Sequence, residues 1–240
     1  MATRLVRTPA DLRGPTGRLE GLYAPGSIAA SHAAVLCHPH PLFGGTMHNK
    51  VVYHAAKVFE ELGLPVLRFN FRGAGASEGA HDRGEGERED LQAALAWLQR
   101  ETGLPVVVTG FSFGAWVALR TCCGDMSRDE PGGRPVPAHV TGIVALGLPI
   151  QAGDRSYTYD FLARCGLPLL AISGAEDAFA SMPALEAAIA PATLIQIPRA
   201  DHFFQRAQAP SGLAEMQTAM RAWLQQHLPQ GAGLVEAGKH

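Results

Sequence analysis

The chain has 240 residues, of which 47% are hydrophobic and 18% are charged. This balance is typical of a globular protein and is too apolar for a disordered chain. Twenty Lys and Arg residues against 22 Asp and Glu residues leave a net charge of −2, and we expect no nucleic-acid partner, because phosphate binding needs a basic excess.

Short apolar segments of strand length alternate along the chain with longer segments of helical period. The predicted strands are Ala33–Cys37, Pro65–Asn70, Pro105–Thr109, Gly142–Leu148, Pro168–Ser173 and Ala192–Ile197. The predicted helices are Asn49–Leu62, Glu87–Arg100, Ala115–Thr121, Pro183–Ala190 and Leu213–Leu228. This alternation predicts an α/β fold with a mostly parallel sheet and helices on both faces.

No repeat or linker divides the chain, so we expect one domain over residues 1–240 with an ordered core at about 18–228. The polar segment Asp125–Pro137 is interpreted as a surface excursion, and the tail at 230–240 as flexible. No apolar run reaches the roughly 18 residues of a membrane span, and the first residues contain no stretch of signal-peptide length. We therefore expect a cytoplasmic protein without a membrane partner.

The four cysteines show no paired spacing, and two of them are adjacent in the sequence. They are Cys37, Cys122, Cys123 and Cys165. We expect all four to be reduced thiols, as is usual in cytosolic proteins.

The pattern Gly-x-Ser-x-Gly occurs twice, around Ser112 and around Ser77. A nucleophilic serine in this motif needs a tight turn from a strand into a helix, and small neighbours that allow close backbone approach. Ser112 directly follows the strand PVVVTG and precedes the helical segment FGAWVALR, whereas Ser77 lies in a glycine-rich loop with no helix directly after it. We predict Ser112 as the nucleophile and keep Ser77 as the alternative.

A serine nucleophile needs a histidine as general base and a carboxylate that orients it. His202 follows the strand ATLIQI, and Asp177 follows the strand PLLAIS, so both belong at carboxyl ends of strands. Glu176 is the neighbouring alternative for the acid. Asp201 directly precedes His202, and adjacent side chains of an extended segment point to opposite faces. We therefore expect Asp201 to cap or solvate the turn.

Stabilising the oxyanion of an acyl-transfer intermediate requires two backbone N–H groups. We predict the first from Phe113, directly after the nucleophile. The loop after the early strand, 38–45, should supply the second. Its prolines have no N–H, which leaves His40 as the best donor by position and Leu42 as the second choice.

Aromatic and aliphatic side chains fall on loops at the same end of the predicted sheet. We expect several of them to line an apolar substrate pocket, namely Leu42, Phe43, Tyr157, Tyr159 and Phe203, with Phe113 and Phe204 as further candidates. The histidines at 38, 40, 48 and 54 do not have the spacing of a zinc motif, and the glycine-rich loop at 73–79 matches no nucleotide-binding pattern. We predict no metal and no cofactor.

Five segments together resemble the α/β-hydrolase superfamily, and most closely its small, lidless bacterial serine hydrolases and esterases. They are CHPHPLFGGTMHNKVV (37–52), LRFNFRGAGASEG (67–79), GFSFGAWVALR (110–120), SGAEDAF (173–179) and ADHFF (200–204). The resemblance implies a mostly parallel eight-stranded sheet with little or no cap, whose first strands lie in Arg18–Tyr23 and just before it. It also implies a triad at Ser112, Asp177 and His202, and hydrolysis of an ester-like bond. One departure is that the early loop reads His38-Pro39, where the family commonly has His-Gly.

These observations predict a serine hydrolase that cleaves a small acyl ester through an acyl-enzyme. The same residues would serve a thioesterase, an amidase or a peptidase, and a non-catalytic binding protein on the same fold is the alternative from another class.

Overall fold

The computed structural model describes residues 6–124, 139–190, 192–208 and 210–228. The predicted surface excursion at 125–137 and the predicted flexible tail at 230–240 lie outside these residues. The single-domain organisation of the whole chain therefore stays a prediction.

Eleven strands are present in the described residues: β1 (Arg13–Gly14), β2 (Gly17–Arg18), β3 (Gly21–Ala24), β4 (Ala33–Cys37), β5 (Val66–Phe69), β6 (Val106–Phe111), β7 (Val140–Leu146), β8 (Gln151–Ala152), β9 (Arg155–Ser156), β10 (Leu169–Gly174) and β11 (Thr193–Ile197). Five α-helices connect or flank them: α1 (Lys50–Glu61), α2 (Glu85–Thr102), α3 (Phe113–Cys123), α4 (Met182–Ile189) and α5 (Leu213–His227). Two short 3₁₀ helices cover Pro41–Phe43 and Asp160–Arg164.

Seven of these strands form one sheet in the order β11-β10-β7-β6-β4-β5-β3. All neighbours pair in parallel except β3, which is antiparallel to β5 at one edge. The prediction of an α/β fold with a mostly parallel sheet is confirmed.

The described sheet has seven strands rather than the eight expected. The residues just before β3 do not extend it, because β1 and β2 pair with each other in a separate two-stranded sheet. Beyond β3, the described residues form one antiparallel bridge between Arg7 and Tyr23, which is too short to form a strand.

The strands β4, β6, β7 and β10 are buried on both faces, which explains their nearly uninterrupted apolar sequences. In β4, Val35 packs towards the side covered by α2 and α3, whereas Leu36 packs towards the side covered by α1 and α5. The same alternation occurs in β6, where Val107 belongs to the second of these cores and its neighbours belong to the first. The central strands are thus held rigidly, and their carboxyl ends form a fixed platform.

The segment between β7 and β10 forms a small β8–β9 hairpin and a 3₁₀ helix, with no large helical cap among the described residues. A disulfide joins Cys123, at the end of α3, to Cys165, just after this 3₁₀ helix. The expectation of four reduced thiols is therefore wrong for these two cysteines. They are 42 residues apart in sequence, and only the packing of the 3₁₀ helix against α3 brings them together.

Cys37 and Cys122 are free and buried. None of the helices in the described part of the chain combines the length and the apolar character needed to cross a bilayer.

Candidate active site

The turn from β6 into α3 holds Ser112 in a rare backbone conformation, with φ 54° and ψ −121°. A side chain other than hydrogen would not fit at the flanking glycines. A Cβ atom on Gly110 would lie 2.4 Å from the carbonyl oxygen of Gly114, and one on Gly114 would lie 2.4 Å from that of His38. The strain of the turn is sustained because the buried strand and helix leave the chain no other path. The hydroxyl of Ser112 is consequently presented above the sheet.

Ser112, His202 and Asp177 are joined by two hydrogen bonds. The Nε2 atom of His202 lies 2.9 Å from the Oγ atom of Ser112, and its Nδ1 atom lies 2.8 Å from Oδ2 of Asp177. Asp177 follows β10 and His202 follows β11, so both come from the carboxyl edge of the sheet. The two side chains are almost completely shielded from solvent.

Asp177 is oriented by two further hydrogen bonds. The backbone N–H of Phe179 donates to Oδ1 at 2.8 Å, and the hydroxyl of Ser173 donates to Oδ2 at 3.3 Å. Glu176, the alternative acid, is exposed. The carboxylate of Asp201 accepts from the N–H groups of Phe203 and Gln205, which confirms its expected role as a cap of the turn. The carboxylate beside His202 is therefore that of Asp177.

Ser77, the serine of the second Gly-x-Ser-x-Gly match, is part of the structural framework. Its hydroxyl donates to the carbonyl of Asn70 at 2.7 Å and accepts from the N–H of Glu20 at 2.9 Å. It is buried and engaged in both directions. The motif alone did not separate the two serines, but the strand-to-helix context of Ser112 did.

The sequence predicts that the backbone N–H groups of Phe113 and His40 are the oxyanion donors, and both residues line the cavity beside Ser112. Phe113 is the first residue of α3, so its N–H has no carbonyl partner inside the helix. Among the described residues, no acceptor pairs with the N–H of His40. The N–H of Leu42, the second choice, donates to Nδ1 of His40 at 3.3 Å and is thereby engaged. These contacts favour His40 over Leu42 as the second donor.

His38 holds the loop that carries His40. Its Nε2 atom accepts from the N–H of Phe71 at 2.9 Å, and its Nδ1 lies 2.6 Å from the carbonyl of Pro39. Burial lowers the pKa of His38 to about 4, so the ring is neutral at pH 7 and one nitrogen remains an acceptor. The neutral imidazole thus connects the loop that carries His40 to the backbone at Phe71.

A cavity of about 290 Å³ opens beside Ser112 and His202. Of the predicted pocket residues, Phe43, Phe113, Tyr157 and Phe203 line it. The other lining residues are Pro39, His40, Gly44, Gly45, Asn49, Pro149, Ala152, Gly153 and Phe179.

Three predicted pocket residues do not line this cavity. Leu42 is 71% exposed on the outer side of its loop. Tyr159 is buried behind the cavity wall, where its hydroxyl donates to the carbonyl of Pro149. Phe204 is fully buried in the core on the α1 and α5 side of the sheet. Their positions in the sequence correctly predicted that all three residues lie at this end of the sheet. The direction of each side chain could not be predicted from the sequence.

The β8–β9 hairpin was missed by sequence reasoning. It supplies Ala152 and Gly153 to the cavity wall. Its strands have two residues each, which is too short for an alternating pattern to be recognised. Within the described ranges, no group of three or more His, Cys, Asp or Glu side chains is placed to hold a metal ion.

A serine on a strand-to-helix turn, served by a histidine and a carboxylate from later loops, is characteristic of α/β hydrolases. A comparison with protein families agrees, since the model of the alpha/beta hydrolase domain matches residues 32–227. The chain therefore belongs to the α/β hydrolase family.

An uncharacterised protein from Rickettsia prowazekii is 39% identical to this chain over 170 residues. The match covers 70% of this chain and 66% of that relative, so the chain spans just under two thirds of the relative's length.

Two solved structures are similar over nearly their full lengths. A lidless α/β serine hydrolase from Xanthomonas campestris has 29% identity and a TM-score of 0.74, with 96% of this chain and 97% of that chain covered. An α/β serine hydrolase homologue from Coxiella burnetii has 31% identity and a TM-score of 0.72, with 92% and 98% covered. The family and the fold support hydrolase activity.

Proposed function

We propose that this protein is a serine hydrolase that cleaves small carboxylic esters through an acyl-enzyme intermediate. The observation that carries the proposal is the hydrogen-bonded chain from Asp177 through His202 to Ser112, which ends in an open cavity. The proposed substrate is a small-molecule acyl ester, because the cavity is small and lined mainly by apolar and aromatic groups.

The hydrogen bonds assign the protons of the resting site. The carboxylate of Asp177 only accepts, so Nδ1 of His202 carries a proton and Nε2 is the acceptor for the hydroxyl of Ser112. As the Ser112 oxygen attacks the ester carbonyl, its proton moves to Nε2 of His202. The carbonyl oxygen becomes an oxyanion, and we propose that the N–H groups of Phe113 and His40 stabilise it.

The tetrahedral intermediate then collapses. The bond to the leaving alcohol breaks, and His202 donates the proton from Nε2 to the departing oxygen. A water molecule next gives its proton to His202 and attacks the acyl group on Ser112. The second collapse releases the carboxylic acid and returns the proton to the serine. Asp177 keeps its negative charge throughout and stabilises the charged imidazole.

Active-site labelling with a fluorophosphonate, followed by turnover of 4-nitrophenyl acetate and longer-chain esters, tests the proposal. We expect wild type to be labelled and Ser112→Ala to lose labelling and at least about 10³-fold in turnover. Ser77→Ala is the matched control, because Ser77 lies in the same motif and should leave labelling intact.

Equal labelling of wild type and Ser112→Ala would reject Ser112 as the nucleophile. Parallel assays with thioesters and anilides separate esterase activity from the thioesterase and amidase alternatives. A protein that neither labels nor turns over any of these substrates would be the binding protein that the sequence left open.

The cytoplasmic location expected from the sequence stays a prediction. The Cys123–Cys165 disulfide argues against it, because disulfides are rare in the reducing cytosol. Cell fractionation of the tagged full-length chain would decide between the cytoplasm and an oxidising compartment.

A further inference from the structure

The cavity beside Ser112 contains no carboxylate, ammonium or guanidinium group in its described lining. One of its walls consists of Ala152 and Gly153 of the β8–β9 hairpin, followed by Tyr157. A substrate enclosed there would meet only neutral groups in the resting site. Any charge selectivity must therefore come from a residue behind the wall or at its rim.

Arg155 lies in this hairpin, and its guanidinium lies over three aromatic rings, two of which line the cavity. Its Cζ atom is 4.6 Å from the ring centre of Trp116, 4.9 Å from that of Tyr157 and 5.9 Å from that of Phe113. Tyr157 and Phe113 both line the cavity. The guanidinium therefore lies beside the substrate space, on the side of the residue that follows the nucleophile.

One hydrogen bond anchors the Arg155 side chain. Its Nη2 atom donates to the carbonyl of Arg83 at 2.9 Å. In the part of the chain that the structure describes, no carboxylate pairs with Arg155, and its remaining N–H groups have no protein acceptor. Among the described residues, the positive charge is thus contacted by three aromatic rings and one carbonyl and by no carboxylate.

Arg120 provides an internal comparison. Its guanidinium lies 5.0 Å from the centre of the same Trp116 ring, but it forms an ion pair with Glu85. The two arginines therefore share an aromatic partner and differ in whether their charge is neutralised.

The charge of Arg155 also reaches the cavity. The pKa of His40, which lines the cavity, is lowered to about 4, mainly by burial, with further contributions from the charges of His81 and Arg155. The charge of Glu87 acts in the opposite direction and raises this pKa.

We propose that Arg155 is a specificity-determining residue that binds a carboxylate carried by the ester substrate. The inference rests on the proposed esterase function and narrows its substrate class to esters that bear a second, anionic group. A guanidinium has several donors in one plane and pairs well with two carboxylate oxygens. Cation–π contacts with three rings and the hydrogen bond to Arg83 hold the guanidinium in place before the substrate arrives, which lowers the entropic cost of binding.

The test compares pairs of esters that differ only in an anionic group. For the acyl side, mono-4-nitrophenyl glutarate is compared with 4-nitrophenyl pentanoate, in which a methyl group replaces the carboxylate. For the alcohol side, 3-carboxyphenyl acetate is compared with 3-methylphenyl acetate. The measured quantity is the ratio of kcat/KM for the anionic ester to that for its neutral counterpart.

We expect Arg155→Gln to lower this ratio on the order of tenfold or more in one of the two series, as loss of a charge-assisted pair implies. Arg155→Lys keeps the charge but not the planar fork, and should lie between wild type and Arg155→Gln. Arg120→Gln is the matched control, and its ratio should equal that of wild type.

An unchanged ratio for Arg155→Gln in both series would overturn the inference, as would an equal fall for Arg120→Gln. Failure of the proposed esterase function would give a different result. Wild type would then hydrolyse the neutral esters no faster than Ser112→Ala does. Circular dichroism and thermal melting of each variant show whether a lowered ratio comes from a folded protein.

Discussion

Replacing Asp177 by asparagine should retain the fold and remove most of the activity. The reason is the direction of the groups around this side chain. The N–H of Phe179 can only donate, and it points at Oδ1 from 2.8 Å. It will therefore hold the amide oxygen of an asparagine at this position and direct the amide NH₂ towards His202.

An NH₂ group facing Nδ1 of His202 reverses the proton pattern of the imidazole. Nδ1 must then become an acceptor, which places the ring proton on Nε2, opposite the Ser112 hydroxyl. A ring with this tautomer cannot take the proton of Ser112. We expect kcat to fall by about 10⁴-fold, which corresponds to ~5.4 kcal/mol of transition-state free energy.

The assay is steady-state hydrolysis of 4-nitrophenyl acetate by Asp177→Asn, with thermal melting to verify folding. Glu176→Gln is the matched control, since this neighbouring carboxylate is exposed and should leave kcat unchanged. Retention of more than about a tenth of wild-type kcat in folded Asp177→Asn would refute the tautomer argument. A loss in Glu176→Gln instead would transfer the role of the acid to Glu176.

Two further predictions concern stability. Burial lowers the pKa of His38 to about 4 from its usual 6.5, so the unfolded chain binds the proton more tightly, and stability should be lost as the pH falls from about 6.5 to 4. The loss from His38 approaches about 3 kcal/mol by linkage. Urea unfolding should therefore show that stability falls more steeply with falling pH in wild type than in His38→Gln, in which other groups such as His40 still titrate; equal pH profiles would contradict the assignment. The second prediction concerns the disulfide: a thiol reagent in denaturant without reductant should titrate two cysteines, Cys37 and Cys122. Cys165→Ser should lower the free energy of unfolding by up to about 4 kcal/mol, which is the closure entropy of a loop of 42 residues. Four reactive thiols in wild type would show that the bond is absent.

The order of the secondary structure elements could be predicted from the sequence because each buried strand is a short, nearly pure apolar run between turn residues. Strand β4 was predicted with the bounds that the structure shows, and β10 within one residue at each end. The edge of the sheet was harder. Whether the residues before β3 extend the sheet depends on which segment they pair with, and this pairing produces no recognisable pattern in the local sequence.

The positions of Ser112, Asp177 and His202 were readable for a related reason. Each lies within a few residues of the end of a strand, and the carboxyl ends of parallel strands converge on one edge of a sheet. The three side chains can form hydrogen bonds because the strands before them are parallel, and the alternation of apolar strands and helices in the sequence already predicts parallel strands. Sequence alone therefore determined which residues meet, although their catalytic roles stay proposals until the variants are measured.

Other features were decided only by tertiary structure. Side-chain direction removed Leu42 and Tyr159 from the cavity wall. Packing of a 3₁₀ helix against α3 brought together two cysteines that the sequence keeps far apart. The position of Arg155 on aromatic rings from α3 and the hairpin arises in the same way. Local sequence determines where the chain is buried and where it turns, whereas contacts between distant segments depend on how whole elements pack, and no short pattern records that packing.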